Sequence, residues 1–491
     1  MKIWNRREIL RGAGAAAAAT TVPGIAKAQW PPDEDLKDAR IACVTSTEKQ
    51  AWSKGKLLKS AFSFFGLNLN IEPEKSIGGP IEGFGACFNE LGWKALELLS
   101  EADRQAVLAE FFDPAKGGRF TYCRMPLGAN DFSVEAYSYD EQDGDFALKN
   151  FCIDHDRKTL IPFIKAAQKH QPELRLWASP WTPPSWMKRN HFYAEAPGMG
   201  PFKPNGIKPE QIGHEGEDFF IQKPEYFEAY ARYFGRFVDA YGAEGIRVGM
   251  VMPQNEFNSA QNFPSCTWTP EGLARFIRVL GPEMSRRDVA IFIGTLERGN
   301  PRLLEKVMED AEAAKFIKGV GVQWAGKNAL PEVLTKHPEL ELFQSEQECG
   351  DGSNSWAYAS YCWRLMKHYL SSGARGYMYW NIALTAGEPS TWGWSQNALV
   401  TVNRADGSFK FTHDYTMLKH LTHAVDKGAQ LVAVSGTFAD AVVYRNPDGS
   451  VVALLRNEAA HTQRVDLRCG SDLFTVELAA DSISTVTIQK A

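Results

Sequence analysis

The chain has 491 residues, 44% of them hydrophobic, and a formal net charge of −5. This length holds two or three domains, or one large domain with a smaller companion. The acidic balance argues against a nucleic-acid partner, which selects a basic surface, and no run of like charges marks a disordered tail. Aromatic residues make up 12% of the chain, with 14 Trp. A flat ring can cover the apolar face of a sugar, although most of these Trp are expected to fill core space.

Residues 1–28 read as an export signal. They combine a basic start at Arg6-Arg7, a small-residue apolar stretch over 12–22, and Ala26-Lys27-Ala28 before Gln29. The pair within Asn5-Arg6-Arg7-Glu8-Ile9-Leu10 resembles a twin-arginine signal. A periplasmic or secreted protein is therefore expected. The apolar stretch is too short and Ala-rich for a spanning helix of about 20 residues, and no later segment is long enough, so no integral membrane span is expected after signal removal. Residues 29–75 are predicted to form a linker, over 29–38, and two short strands, over 39–47 and 68–75. The eight Cys form no CxxC pair, which weakens a zinc or thioredoxin-like reading. An oxidising address permits disulfides, and the sequence leaves open whether the thiols pair.

Over residues 76–405 short apolar strands alternate with amphipathic helices. Strands are predicted at 81–88, 119–126, 174–181, 247–257, 288–295, 317–324, 341–348 and 376–383, nearly continuous in apolar residues, as strands buried on both faces are. Helical patterns between them cover 94–112, 159–170, 225–241, 270–280, 301–314 and 355–371. Eight such units predict a (β/α)8 TIM barrel. A doubly wound open sheet is the rival, but Gly83-Phe84-Gly85 lacks the rest of a phosphate-binding fingerprint. From about residue 406 to 491 strands follow one another, with Asn446-Pro447-Asp448-Gly449 a strong turn. This predicts an appended antiparallel β-sandwich, formed by the N- and C-terminal segments together.

Active sites of such barrels sit at the carboxyl ends of the strands. Two acids fall there: Glu256, in Gln254-Asn255-Glu256-Phe257 at the end of the fourth predicted strand, and Glu346, in Gln344-Ser345-Glu346-Gln347-Glu348 at the end of the seventh. Strands four and seven face each other across a barrel. A carboxyl pair so placed can hydrolyse a glycoside, one group protonating the leaving oxygen and the other attacking or stabilising the anomeric carbon. The competing explanation is that both are rim acids paired to Arg or Lys. Glu348 would share a strand face with Glu346 and competes with it for the nucleophile's role.

These motifs resemble glycoside hydrolase family 30, in particular its glucosylceramidase and β-1,6-glucanase members. The resemblance is carried by Glu82-Gly83-Phe84-Gly85, by Arg124-Met125-Pro126 with Asp131-Phe132-Ser133, and most specifically by Ala178-Ser179-Pro180-Trp181-Thr182-Pro183-Pro184-Ser185-Trp186-Met187-Lys188. Asn255-Glu256, Ser345-Glu346 and Trp380-Asn381 complete it. It implies Glu256 as acid/base and Glu346 as nucleophile of a retaining reaction on β-D-glucosides. It also implies Asp131, Trp181 and Trp380 as walls and hydrogen-bonding groups of the glycone pocket, Asn255 on the sugar 2-hydroxyl, Arg124 beside the nucleophile, and Trp324 in the substrate-binding set. Two positions depart from the pattern. Phe257 stands where glucosylceramidases tend to have Pro, and Gln323-Trp324-Ala325 stands where they have a His-Trp-Tyr type sequence, so Ala325 supplies no tyrosine hydroxyl. The lipid preference is therefore in question. The partner expected is a carbohydrate: a β-glucan, a β-glucoside or a glycolipid.

Other chemistries find little support. There is no Gly-x-Ser-x-Gly elbow and no HExxH metal pair; His420 and His423 are expected to be structural. Neither a cofactor nor a metal is needed by two carboxylates and a water. Alternatives that stay open are a catalytically inactive sugar-binding protein and a family relative with β-xylosidase or xylanase specificity. The Glu388-Pro389-Ser390-Thr391-Trp392-Gly393-Trp394 loop and the insertion over 191–222 are expected near the site rim.

Overall fold

Eight strands buried on nearly every residue close into a parallel barrel. They are Gly83–Cys87, Tyr122–Pro126, Arg175–Ser179, Val248–Val251, Ala290–Leu296, Ile317–Gln323, Glu341–Glu346 and Gly376–Asn381, pairing in that order, with the eighth returning to the first. The computed structural model describes residues 35–60, 66–200 and 202–490. The export signal expected over 1–28 lies outside them, as do residues 29–34 of the expected linker. From Asp35 onward the chain is already tied down, since Leu36 N–H donates to Leu57 O at 3.0 Å.

The barrel is a filled core rather than a pore. Tyr122, Trp177, Met250, Met252, Phe292, Phe343 and Met378 make a plug of inward-facing apolar side chains. Gly321 makes room for it: a Cβ there would lie 2.2 Å from Met252 Sδ. Because side chains alternate along a strand, Arg124 faces inward two residues after Tyr122 and stands above the plug, at the carboxyl end where polar groups begin.

All eight predicted strands are present, but two of their ends differ in ways that matter. The fourth stops at Val251, so Glu256 sits five residues beyond it in a loop rather than on the strand. The seventh stops at Glu346, so Glu348 does not share a strand face with it. Two predicted helices are each split. The pattern over 94–112 becomes Glu90–Leu96 and Glu101–Phe112, because Ser100 caps the second by accepting from Asp103 N–H. The pattern over 301–314 becomes Arg302–Met308 and Ala311–Ala314, with Asp310 as the cap. Leu330–Lys336, after strand six, adds a helix to those expected, and His413–Thr422, after strand eight, is the helix expected around His420, with His423 at its C-cap.

Outside the barrel runs a ten-stranded, mostly antiparallel sheet. The early strands Ile41–Thr47 and Leu67–Ile77 join it, the first pairing with Ser482–Ile488 and the second with Gln430–Gly436. The chain does not enter this sheet directly at 406. Val400–Val402 and Phe409–Phe411 first make a small sheet with Ala383–Thr385, and the large sheet resumes only at Gln430. Alternation along Val451–Asn457 shows how it is buried. Val451, Ala453 and Leu455 join a core shared by strands from both ends of the sheet, such as Cys43 and Phe474. Val452 and Leu454 face the other way and belong to the barrel's core. Arg456, in the same strand, bonds Ser360 Oγ of helix Trp356–Ser371 at 2.8 Å and pairs with Asp481. His420 is buried between Ser46 Oγ at 2.8 Å and Thr485 Oγ1 at 2.7 Å, which ties the last barrel helix to the sheet. All eight Cys are free thiols, and only Cys152 is exposed.

The sheet is therefore part of the barrel's hydrophobic core. Leu454→Ala should lower unfolding free energy by roughly 2–5 kcal/mol, read from the denaturant midpoint, and a change well under 1 kcal/mol would contradict a packed interface.

Candidate active site

The polar layer above the plug is organised by Arg124, which is fully buried. Its Nη1 donates to Glu346 Oε2 at 2.7 Å and to Ser345 O at 3.1 Å, and its Nη2 donates to Asn255 Oδ1 at 2.7 Å and Ser179 Oγ at 2.8 Å. The guanidinium also lies against three indoles, with ring centroids 4.8 Å away for Trp177, 4.6 Å for Trp181 and 5.3 Å for Trp380. A buried cation is tolerated only where hydrogen bonds and opposite charge replace its water. Here four acceptors and three π faces do so.

Glu346 ends its strand with its carboxylate fixed on two sides. Arg124 holds one oxygen, and Trp324 Nε1 donates to the other at 3.3 Å. Trp324 is held in a left-handed backbone conformation, φ 47°, and its carbonyl accepts from Lys327 Nζ at 3.0 Å. Lys327 in turn pairs with Glu348 at 2.5 Å, and Glu348 accepts from Tyr361 OH at 2.7 Å. Glu348 is therefore committed to the support of Trp324 and turned away from Arg124.

Glu256 is reached by a loop that leaves the fourth strand yet stays tethered to both neighbours. Met252 N–H bonds Ala178 O, Asn255 N–H bonds Pro180 O at 2.7 Å, and Thr295 N–H bonds Gln254 O. Glu256 N–H donates to Thr295 Oγ1 at 2.8 Å, with φ 46° at Glu256. Such a conformation in a non-glycine residue costs about 1–3 kcal/mol and persists where surrounding bonds over-determine it. Among the described residues the Glu256 oxygens accept only from two neutral amides, Gln323 Nε2 at 3.3 Å and Gln261 Nε2 at 3.4 Å. Gln261 is anchored through its carbonyl, which accepts from Glu195 N–H and Ala196 N–H. Glu195 is fixed by a wholly buried pair with Lys188, 3.4 Å apart, so the 191–222 insertion supports the acid's loop.

Burial pushes the Glu256 carboxyl up to about 7, and the charge of Glu346 adds to the rise. Burial raises Glu346 as well, but Arg124 and the Trp324 N–H oppose it. The two carboxyls therefore differ in kind: one lies beside a cation, the other between amides. Gln323 bonds Glu256 and also favours the charged form of Glu346, so one small amide spans the gap between them.

Asn255 accepts through Oδ1 from Arg124, from Thr295 Oγ1 at 3.1 Å and from Gln323 at 3.4 Å. Those donors fix the amide so that its NH2 is left to donate elsewhere. Asp131 is buried, with Oδ1 unpartnered among the described residues. Burial, then the charges of Glu346 and Glu256, raise its carboxyl well above the usual range. Trp380 Nε1 is likewise buried without a partner, and Trp181 packs 5.3 Å from Trp380. All eight residues singled out in the sequence meet at one mouth. Outward from Trp380, Phe132 lies at 6.3 Å and Trp394 a further 6.3 Å from Phe132, with Phe202 and Phe263 on Trp394 at 5.7 and 5.1 Å.

Sequence reasoning missed Ser179, Gln323, Thr295, Gln261 and Glu297. Glu297 could have been found by the rule that found the others, since it follows strand five directly at the same rim.

Residues 81–424 match the glycosyl hydrolase family 30 TIM-barrel domain. The chain is 29% identical to the lysosomal acid glucosylceramidase of Mus musculus over 425 residues, covering 80% of this chain and 78% of that protein. It is 23% identical to the endo-1,6-beta-D-glucanase of Neurospora crassa, covering 82% of each. Among solved structures it shares its fold with the endo-beta1,6-glucanase BT3312, with a TM-score of 0.78 at 23% identity over 92% of this chain and 100% of that one. It likewise resembles SrfJ from Salmonella typhimurium, with a TM-score of 0.80 at 22% identity over the same shares. With the barrel match spanning most of its length, the chain belongs to glycosyl hydrolase family 30.

Proposed function

We propose that this glycosidase is a retaining β-glucosidase of exported type, acting on β-1,6-linked glucan or a β-glucoside in preference to glucosylceramide. The observation that carries the reading is the unequal treatment of two buried carboxyls: Glu346 bonded to Arg124 at 2.7 Å, Glu256 bonded only by amides. In the first step neutral Glu256 protonates the glycosidic oxygen while the Glu346 carboxylate attacks the anomeric carbon, forming a glycosyl-enzyme. In the second, Glu256 takes a proton from water, which displaces Glu346. Asn255 donates to the 2-hydroxyl, while Asp131 and the Trp380 N–H bind other glycone hydroxyls against the Trp181 face. The glucose assignment draws on relatives named for glucosylceramide and 1,6-glucan hydrolysis. The preference against lipid rests on the departures at Phe257 and Ala325 and on the export-type N-terminus.

The first test is turnover of p-nitrophenyl β-glucoside and a β-1,6-glucan; failure on both removes the glucose assignment. Glu346→Gln should lower kcat by roughly four orders of magnitude while sugar affinity remains, whereas Glu348→Gln should retain turnover. Equal loss in the two variants would contradict the assignment of the nucleophile.

Because Glu256 must carry its proton, kcat/KM should fall as pH rises through about 7. Glu256→Gln should remove that limb and slow substrates with poor leaving groups by about 10²–10⁴-fold. A wild-type profile that stays flat well above neutrality would contradict the role.

A further inference from the structure

The barrel mouth divides into two halves. Asp131, Trp181 and Trp380, which follow or end strands two, three and eight, line one side of the Glu256–Glu346 axis. The other side is left to strands five and six, where a leaving group must lie if the glycone occupies the first. Strand five ends there at Leu296, and Glu297 and Arg298 follow it directly. Glu297 is 1% exposed, and neither carboxyl oxygen has a hydrogen-bond partner among the described residues, its nearest cation being Arg298 at 3.9 Å. Arg298 reaches outward, pairing with Glu215 and donating to Ser259 Oγ at 3.1 Å. Ser259 accepts from Gln261, the amide that also reaches Glu256. Arg298 is close enough to Glu256 to favour its charged form.

We propose that Glu297, Arg298, Glu215, Ser259 and Gln261 bind the leaving group, and that this group is a hydroxyl-bearing sugar unit rather than an aliphatic chain. The inference rests on the glycosidase reading above and names the other half of its substrate. An aliphatic chain laid over this wall would strip water from the Arg298–Glu215 ion pair and return no hydrogen bond. A sugar hydroxyl replaces the water, accepting from Arg298 or Gln261 and donating to a carboxylate. An orphaned buried polar atom also marks the glycone half, at Asp131 Oδ1 and Trp380 Nε1. Glu297 gives the leaving-group half the same signature, and burial with the charge of Glu256 lifts its carboxyl to about 8.

The test compares a β-1,6-linked glucose disaccharide, octyl β-glucoside and p-nitrophenyl β-glucoside on wild type, Arg298→Met and the near-isosteric Glu297→Gln, with thermal unfolding to check the fold. Wild type should favour the disaccharide over the octyl glucoside. In each variant the ratio of kcat/KM for disaccharide to that for aryl glucoside should fall, about tenfold in Arg298→Met for the loss of one charge-assisted hydrogen bond and by less in Glu297→Gln, whose carboxyl carries its proton near neutrality. A parallel fall on both substrates, or wild-type preference for the octyl glucoside, would overturn the proposal. Binding to Glu346→Gln gives a reading that needs no turnover. The disaccharide should bind more tightly than the octyl glucoside, and adding Arg298→Met should erase the difference; the opposite order overturns the wall. A wild type that cleaves none of the glucosides sinks the preceding reading, while cleavage with an unmoved ratio sinks only this one.

Discussion

The site depends on one buried contact, the guanidinium of Arg124 on the carboxylate of Glu346. A lone cation in the middle of a barrel would be expelled by its desolvation cost, and a lone carboxylate there would take up a proton. Together they are stable because strands two and seven present them to each other, and because Ser179, Ser345 O and Asn255 take further Nη donors. The indoles of Trp177, Trp181 and Trp380 exclude water around the cation while offering it their π faces. Under the proposed function the same indoles would shape the sugar pocket, so the scaffold that opposes protonation of Glu346 would also recognise the substrate.

That contact propagates outward in two directions. Through Asn255 it fixes an amide whose oxygen is spent on Arg124, Thr295 and Gln323 and whose nitrogen is left to donate elsewhere. Through Glu346 it creates the negative charge that, with burial, lifts Glu256. The acid's own support comes from elsewhere, from a loop tied to strands three and five and from the buried Lys188–Glu195 pair beneath Gln261. Glu256 and Trp324, on the two segments that bring side chains to the carboxyl pair, both take left-handed backbone conformations.

The barrel was legible because parallel strands covered on both faces are written as apolar runs, and those runs recur eight times. The two facing rim acids were legible because strand-end position and chemistry point to the same pair, to which the family motifs lend separate proposed roles. Helix breaks at Ser100 and Asp310 were not read, since a polar cap inside a periodic pattern passes for a solvent-facing residue. Glu256 is expected from the sequence to end a strand, yet the ladder stops at Val251 and non-ladder bonds, among them those to Pro180 and Thr295, keep it in place. The part of Glu348 was hidden for a similar reason. Its pairing with Lys327 joins residues 21 apart in sequence, one in the helical turn after strand six and one beyond the end of strand seven, and no local pattern encodes it.

The central claim is that Glu346, held ionised by Arg124, forms a bond to the sugar. Incubation with a 2-deoxy-2-fluoro β-glucoside bearing an activated leaving group, followed by mass analysis of the intact protein and its peptides, tests it most directly. The account predicts one added glycosyl group, carried by Glu346. A label on Glu348 or Glu256, or an unlabelled enzyme that releases product of inverted anomeric configuration, would contradict it.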